Sequence, residues 1–150
     1  PAPGRGCRRA PLAARVKVGS VMTRSPVTVG LDDDLAHVRD LFAAHGFRHL
    51  LVLAGGRLVG VLSDRDLLRA LSPFLGRASE RAQDLATLRR RVHQVMSREP
   101  VVVSPETTVA EAARLLFARR VSCLPGVADD GAVVGIVSWR DLLAALVTSG

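Results

Sequence analysis

Two serine and aspartate pairs carry the most chemical promise in this 150-residue sequence: Ser63 with Asp66, and Ser138 with Asp141. Each pair follows a glycine and two apolar residues, Gly60-Val61-Leu62 or Gly135-Ile136-Val137, and precedes a leucine pair, Leu67-Leu68 or Leu142-Leu143. That order reads as the end of a strand and the start of a helix. A carboxylate placed there can accept from two neighbouring hydroxyls of a ligand in charge-assisted hydrogen bonds. The serine hydroxyl and the free N–H groups of the first helical turn would reach the same ligand. One copy alone reads more readily as an N-cap with an acidic first turn. Two copies in the same context favour a binding role.

The remaining reactive residues do not assemble into a catalytic set. His37, His45, His49 and His93 are scattered, and neither a Gly-x-Ser-x-Gly elbow nor a Gly-Lys-Ser/Thr phosphate loop is present. Cys7 and Cys123 are too few and too far apart for a disulfide framework or a zinc site. No enzymatic activity, catalytic cofactor or metal is therefore expected, and a reducing compartment fits.

The elements that must position the two pairs come from an internal repeat. Val21-Met22-Thr23-Arg24-Ser25-Pro26-Val27 returns as Val95-Met96-Ser97-Arg98-Glu99-Pro100-Val101. The segment from Val59 through Ser63, Arg65 and Asp66 to Leu68 returns from Val134 through Ser138, Arg140 and Asp141 to Leu143, with one inserted residue near Gly131. Each unit begins with a short strand, Val27-Thr28-Val29 or Val101-Val102-Val103, after a proline that favours extended chain. A helix follows: Leu35, Val38, Leu41 and Phe42 recur at helical spacing behind Asp32-Asp33-Asp34, and Thr108 with Glu111 reads as a capping box. Two strands come next, 50–54 and 57–62 around Gly55-Gly56, with counterparts around Asp129-Asp130-Gly131. A last helix starts near Ser63 or Ser138. Cys123 and His49 fall at equivalent points of the two units and read as side chains of paired strands near a core.

Composition sets the limits. With 48% hydrophobic residues the chain can bury a real core, and no apolar run approaches the roughly 20 residues that span a bilayer. No signal-peptide apolar core follows Arg8-Arg9, so a cytoplasmic location is expected. The net charge of +7 is concentrated in Arg5, Arg8, Arg9, Arg15 and Lys17, and the folded body is only mildly basic. Residues 1–15 read as a flexible basic arm, 16–72 as the first unit, 73–94 as a connector helical over 82–92, and 95–150 as the second unit. The run Arg89-Arg90-Arg91 reads as a solvated face.

Three repeated motifs resemble one known family. The opening Val-Met-Thr/Ser-Arg-x-Pro, the starts Phe47-Arg48-His49-Leu50 and Val121-Ser122-Cys123-Leu124-Pro125 of the second strand, and the closing Gly-apolar-apolar-Ser-x-Arg-Asp all look like CBS domains. Two in tandem form a Bateman module. The resemblance implies an α/β (α+β) fold in which the repeats pack through their sheets with pseudo-twofold symmetry, leaving two clefts. It also implies a homodimer, an adenine nucleotide (AMP, ADP or ATP) or S-adenosylmethionine as regulatory ligand, and an unknown effector protein.

By that analogy each Ser and Asp pair faces the other repeat. Cleft one joins Ser63 and Asp66 to Pro100, Val101, Val121 and Ser122; cleft two joins Ser138 and Asp141 to Pro26, Val27, Phe47 and Arg48. The carboxylates suit ribose hydroxyls, the apolar members suit a flat base, and Arg48, Arg65, Arg120 and Arg140 are candidates for phosphate. Arg48 stands where the other repeat has Ser122, so cleft two is the expected polyphosphate site. Two other functions compete with this one. A DNA- or RNA-binding protein could use the arginine-rich arm, although 3% aromatic content offers few stacking platforms. A dimerisation scaffold would bind no ligand at all.

Overall fold

The computed structural model describes residues 9–148. Residues 1–8 of the expected arm, Arg5, Cys7 and Arg8 among them, lie outside the described residues.

Local chemistry explains where each helix begins and ends. Helix α1, Leu35–His45, starts at Asp34, whose side chain accepts from His37 N at 2.9 Å, and stops at Gly46 in the left-handed region (φ 67°). Its counterpart α5, Val109–Arg119, has the full capping box: Glu111 Oε2 accepts from Thr108 N at 2.9 Å and Thr108 Oγ1 from Glu111 N at 3.1 Å. The first hairpin joins β3, His49–Ala54, to β4, Arg57–Ser63, through two glycines with positive φ. The second joins β6, Cys123–Val127, to β7, Val133–Ser138. Helix α2, Asp64–Ala70, follows the first hairpin and α6, Trp139–Thr148, the second. Both units run helix, strand, strand, helix, and in the first unit a short strand precedes the first helix.

The segments leading into the units are exchanged. Strand β1, Thr23–Arg24, pairs antiparallel with β7 of the second unit, Thr23 opposite Ile136. Strand β5, Ser97–Arg98, pairs antiparallel with β4 of the first unit, Ser97 opposite Val61. With β2, Thr28–Gly30, parallel to β3, the sheets are ordered β2-β3-β4-β5 and β1-β7-β6. The cores follow the exchange. Val92 and Met96 are buried with Leu35, Val38, Leu50 and Leu62, whereas Val18 and Met22 are buried with Val109, Leu116, Leu124 and Val137. Each segment also caps the other unit's first helix: Leu35 N donates to Arg90 O at 3.0 Å and Val109 N to Val16 O at 2.9 Å.

Three expectations meet a different geometry. The strand expected at Val101-Val102-Val103 reduces to a single parallel bridge between Val103 and Gly126. In the first unit Leu51 N donates to Val27 O at 3.3 Å, but the position matching Leu51 is Pro125, which has no N–H to give. The connector is not one helix over 82–92. It breaks into α3, Ala82–Ala86, a 3-10 turn Thr87–Arg89, and α4, Val92–Val95, because Arg90 turns extended and Arg91 bridges to Asp34. Of the expected arm, the described part forms a 3-10 turn, Leu12–Ala14, and Ala13 packs on the second core.

Candidate functional site

Both Ser and Asp pairs form the cap that their spacing allows. Asp66 Oδ2 accepts from Ser63 N at 2.9 Å, and Ser63 Oγ accepts from Asp66 N at 3.1 Å. Asp141 Oδ2 accepts from Ser138 N at 2.7 Å and from Ser138 Oγ at 3.0 Å. In each pair the carboxylate accepts through Oδ2, and both aspartates are only partly buried. The cap therefore locks the rotamer and presents a carboxylate at the cleft wall. The first helical N–H is fixed from the neighbouring strand: Asp64 N donates to Arg48 O at 3.0 Å and Trp139 N to Ser122 O at 3.3 Å.

Two clefts lie between the units. The larger, about 740 Å³, brings Ser63, Arg65 and Asp66 together with Pro100, Val101, Val121, Ser122 and Arg120. The smaller, about 320 Å³, brings Ser138, Arg140 and Asp141 together with Pro26, Val27, Phe47 and Arg48. Both volumes lie in the range of small-molecule sites. Phe47, which lines cleft two, is met edge-on by Phe42 at 5.6 Å and stacked by His45 at 5.3 Å, and these contacts hold its ring in place. The Arg140 guanidinium lies 5.5 Å from the centroid of the Trp139 ring.

Arg98, Glu99 and His49 are among the lining residues that the sequence did not mark as site members. Arg98 and Glu99 enter cleft one because β5 joins the first sheet, and His49 and Trp139 line both clefts. Arg98 and Glu99 lie inside the repeated opening motif, the signal that could have flagged them. Their presence changes the electrostatic comparison: cleft one carries Arg65, Arg98 and Arg120 against Asp66 and Glu99, and cleft two carries Arg48 and Arg140 against Asp141. Glu99 and its counterpart Ser25 both hold positive φ, 52° and 53°, immediately before the cleft prolines.

His49 and Cys123 do not meet as a reactive pair. His49 Nε2 instead shares a 2.7 Å hydrogen bond with Ser122 Oγ. Burial holds the His49 imidazole below its ordinary pKa, against the pull of Asp64 and Asp66. Burial also pushes the Cys123 thiol up to about 12, so it stays protonated and unreactive. Among the described residues no group of His, Cys, Asp and Glu could hold a metal ion, and no helix is long and apolar enough to cross a membrane.

Known proteins share this arrangement. Residues 18–73 and 92–148 match the family model of the CBS domain. A CBS domain-containing protein of Dictyostelium discoideum is 33% identical over 135 residues, 89% of this chain and 92% of that protein. An inosine-5'-monophosphate dehydrogenase of Korarchaeum cryptofilum is 28% identical over 82% of this chain, which spans only 23% of the enzyme's length. Among solved structures, CBSX2 in complex with AMP superposes with a TM-score of 0.73 at 29% identity, covering 89% of this chain and 98% of that one.

Proposed function

The chain belongs to the CBS-domain family, and from that premise we propose that it is a regulatory module that binds an adenosyl ligand in its two clefts, catalyses nothing, and acts on a separate effector protein in the cytoplasm. One observation carries the reading. In both clefts the capped Ser and Asp pair of one repeat faces the proline and second-strand start of the other. The similar CBSX2 chain holds AMP. On this reading Asp66 and Asp141 accept the ribose hydroxyls. Val101 and Val121, or Val27 and Phe47, sandwich the adenine, and the arginines of each cleft receive the phosphate. Cleft two, where Arg48 stands beside the second-strand start at the position that Ser122 holds in cleft one, is the site we assign to the more highly charged nucleotide.

Polyanion binding has weaker support. Arg91 Nη1 donates to Asp32 O at 2.7 Å and Arg90 Nη1 to Ala70 O at 3.3 Å, so two arginines of the connector run hold it against the first unit. A second copy of the chain is the partner we assign to the apolar residues Phe117, Leu143, Leu146 and Val147, which α5 and α6 leave exposed and the first three of which also line cleft one.

The test is a titration of AMP, ADP, ATP and S-adenosylmethionine at physiological salt, read by the emission of Trp139, which lines both clefts. Saturable, base-selective binding that Asp66→Ala and Asp141→Ala each reduce supports the module. Binding that follows phosphate count and vanishes with salt overturns it in favour of a polyanion binder. No response to any ligand favours a bare scaffold.

A further inference from the structure

Ser122 and His49 come from opposite repeats, and their side chains meet at 2.7 Å in the wall that separates the clefts. His49 lines both clefts, whereas Ser122 lines cleft one, at the start of the second strand where the ligand's base is proposed to lie. The charged groups acting on the imidazole are Asp64, Asp66 and Arg48. The residues at the symmetry-equivalent positions are Arg48 and Cys123, a pure donor and a weak one, which cannot make the same link. The pseudo-symmetry is thus broken by one hydrogen bond.

We propose that the His49–Ser122 bond couples the two clefts, so that a ligand entering one raises the affinity of the other; this rests on the adenosyl reading above. In this structure each group satisfies the other. A ligand in cleft one that takes the Ser122 hydroxyl releases the imidazole to offer a ring nitrogen into cleft two. A ligand in cleft two that draws the imidazole away releases the hydroxyl into cleft one. Either way the first ligand bears the loss of the bond and the second does not, which is positive cooperativity. One neutral hydrogen bond corresponds to about a fivefold difference in affinity.

Calorimetric titration of AMP into the full chain tests the coupling, with Asp66→Ala and Asp141→Ala identifying each cleft. In the unaltered protein the second AMP is expected to bind about fivefold tighter than the first after statistical correction. Ser122→Ala should fill its clefts independently, and Ser122→Thr, which keeps the hydroxyl, should restore the coupling. Independent filling in the unaltered protein, a single bound AMP, or cooperativity that survives Ser122→Ala overturns the coupling and leaves the adenosyl reading standing. Absence of any AMP or other adenosyl binding overturns both.

Discussion

Gly60 lies directly against Met96: a Cβ on Gly60 would stand 2.7 Å from the Met96 sulfur and 2.8 Å from the Ser97 carbonyl oxygen. Gly135 stands in the same relation to Met22, with 2.6 Å to the sulfur and 2.8 Å to the Thr23 carbonyl oxygen. The glycine of each closing motif is the notch into which the other repeat's opening strand fits. Without a side chain at that point, β1 and β5 can hydrogen-bond at the sheet edge while their methionines enter the core.

Gly60→Ala and Gly135→Ala should therefore each destabilise the protein by about 1–3 kcal/mol, because a backbone oxygen cannot yield as a flexible side chain would. Gly30→Ala is the control: its Cβ meets nothing closer than Asp33 Oδ2 at 3.8 Å, so the change should stay within about 0.5 kcal/mol. Urea denaturation midpoints of the three variants decide the matter.

The two aspartates have a structural and a ligand-binding role that one substitution can separate. Asp141→Asn should cost about 1 kcal/mol of stability through the weakened cap. If the carboxylate also accepts from the ribose, AMP affinity in that cleft should fall at least about tenfold, beyond what the stability loss explains. Thermal unfolding paired with calorimetry gives both numbers; a lost cap with unchanged AMP affinity would reduce the pair to a cap alone.

Cys123 should resist thiol reagents. With its pKa pushed up to about 12 by burial, the thiolate is scarce at pH 8. In a Cys7→Ser background, modification by a disulfide reagent should be slow in the native protein and become immediate in denaturant. Rapid labelling of the native protein would show the thiol to be accessible.

The pH dependence of stability has a definite sign at His49. Burial lowers its pKa in the folded state, so the unfolded chain takes up the proton first. Its contribution is fully present above the ordinary histidine range and is lost as the pH falls below about 6.5 towards the depressed folded value. Melting curves at pH 7.5 and pH 5.5 should show a smaller drop in His49→Gln than in the unaltered protein. An identical drop in both would place the sensitivity elsewhere.

Much of the architecture is legible in the residue pattern because its causes are local. Helical spacing of Leu35 and Val38, the Thr108 and Glu111 box and the glycine turn at Gly55-Gly56 act within a few residues of one another. The internal repeat then shows that each cap recurs in the same setting. Sequence alone therefore determined two units that share a helix, a two-strand hairpin and a closing helix, and marked Ser63, Asp66, Ser138 and Asp141 as their chemically distinctive residues. Tertiary structure decided which unit each opening segment serves, since two-residue strands such as β1 and β5 have no periodicity and take their place from the notch that receives them. It also decided that Pro125 leaves the segment 101–103 with a single bridge, that Arg98 and Glu99 enter cleft one, and that His49 reaches Ser122 across the repeats. Such contacts join residues far apart in the chain, where shape and hydrogen-bonding partners exist only once both sheets have formed.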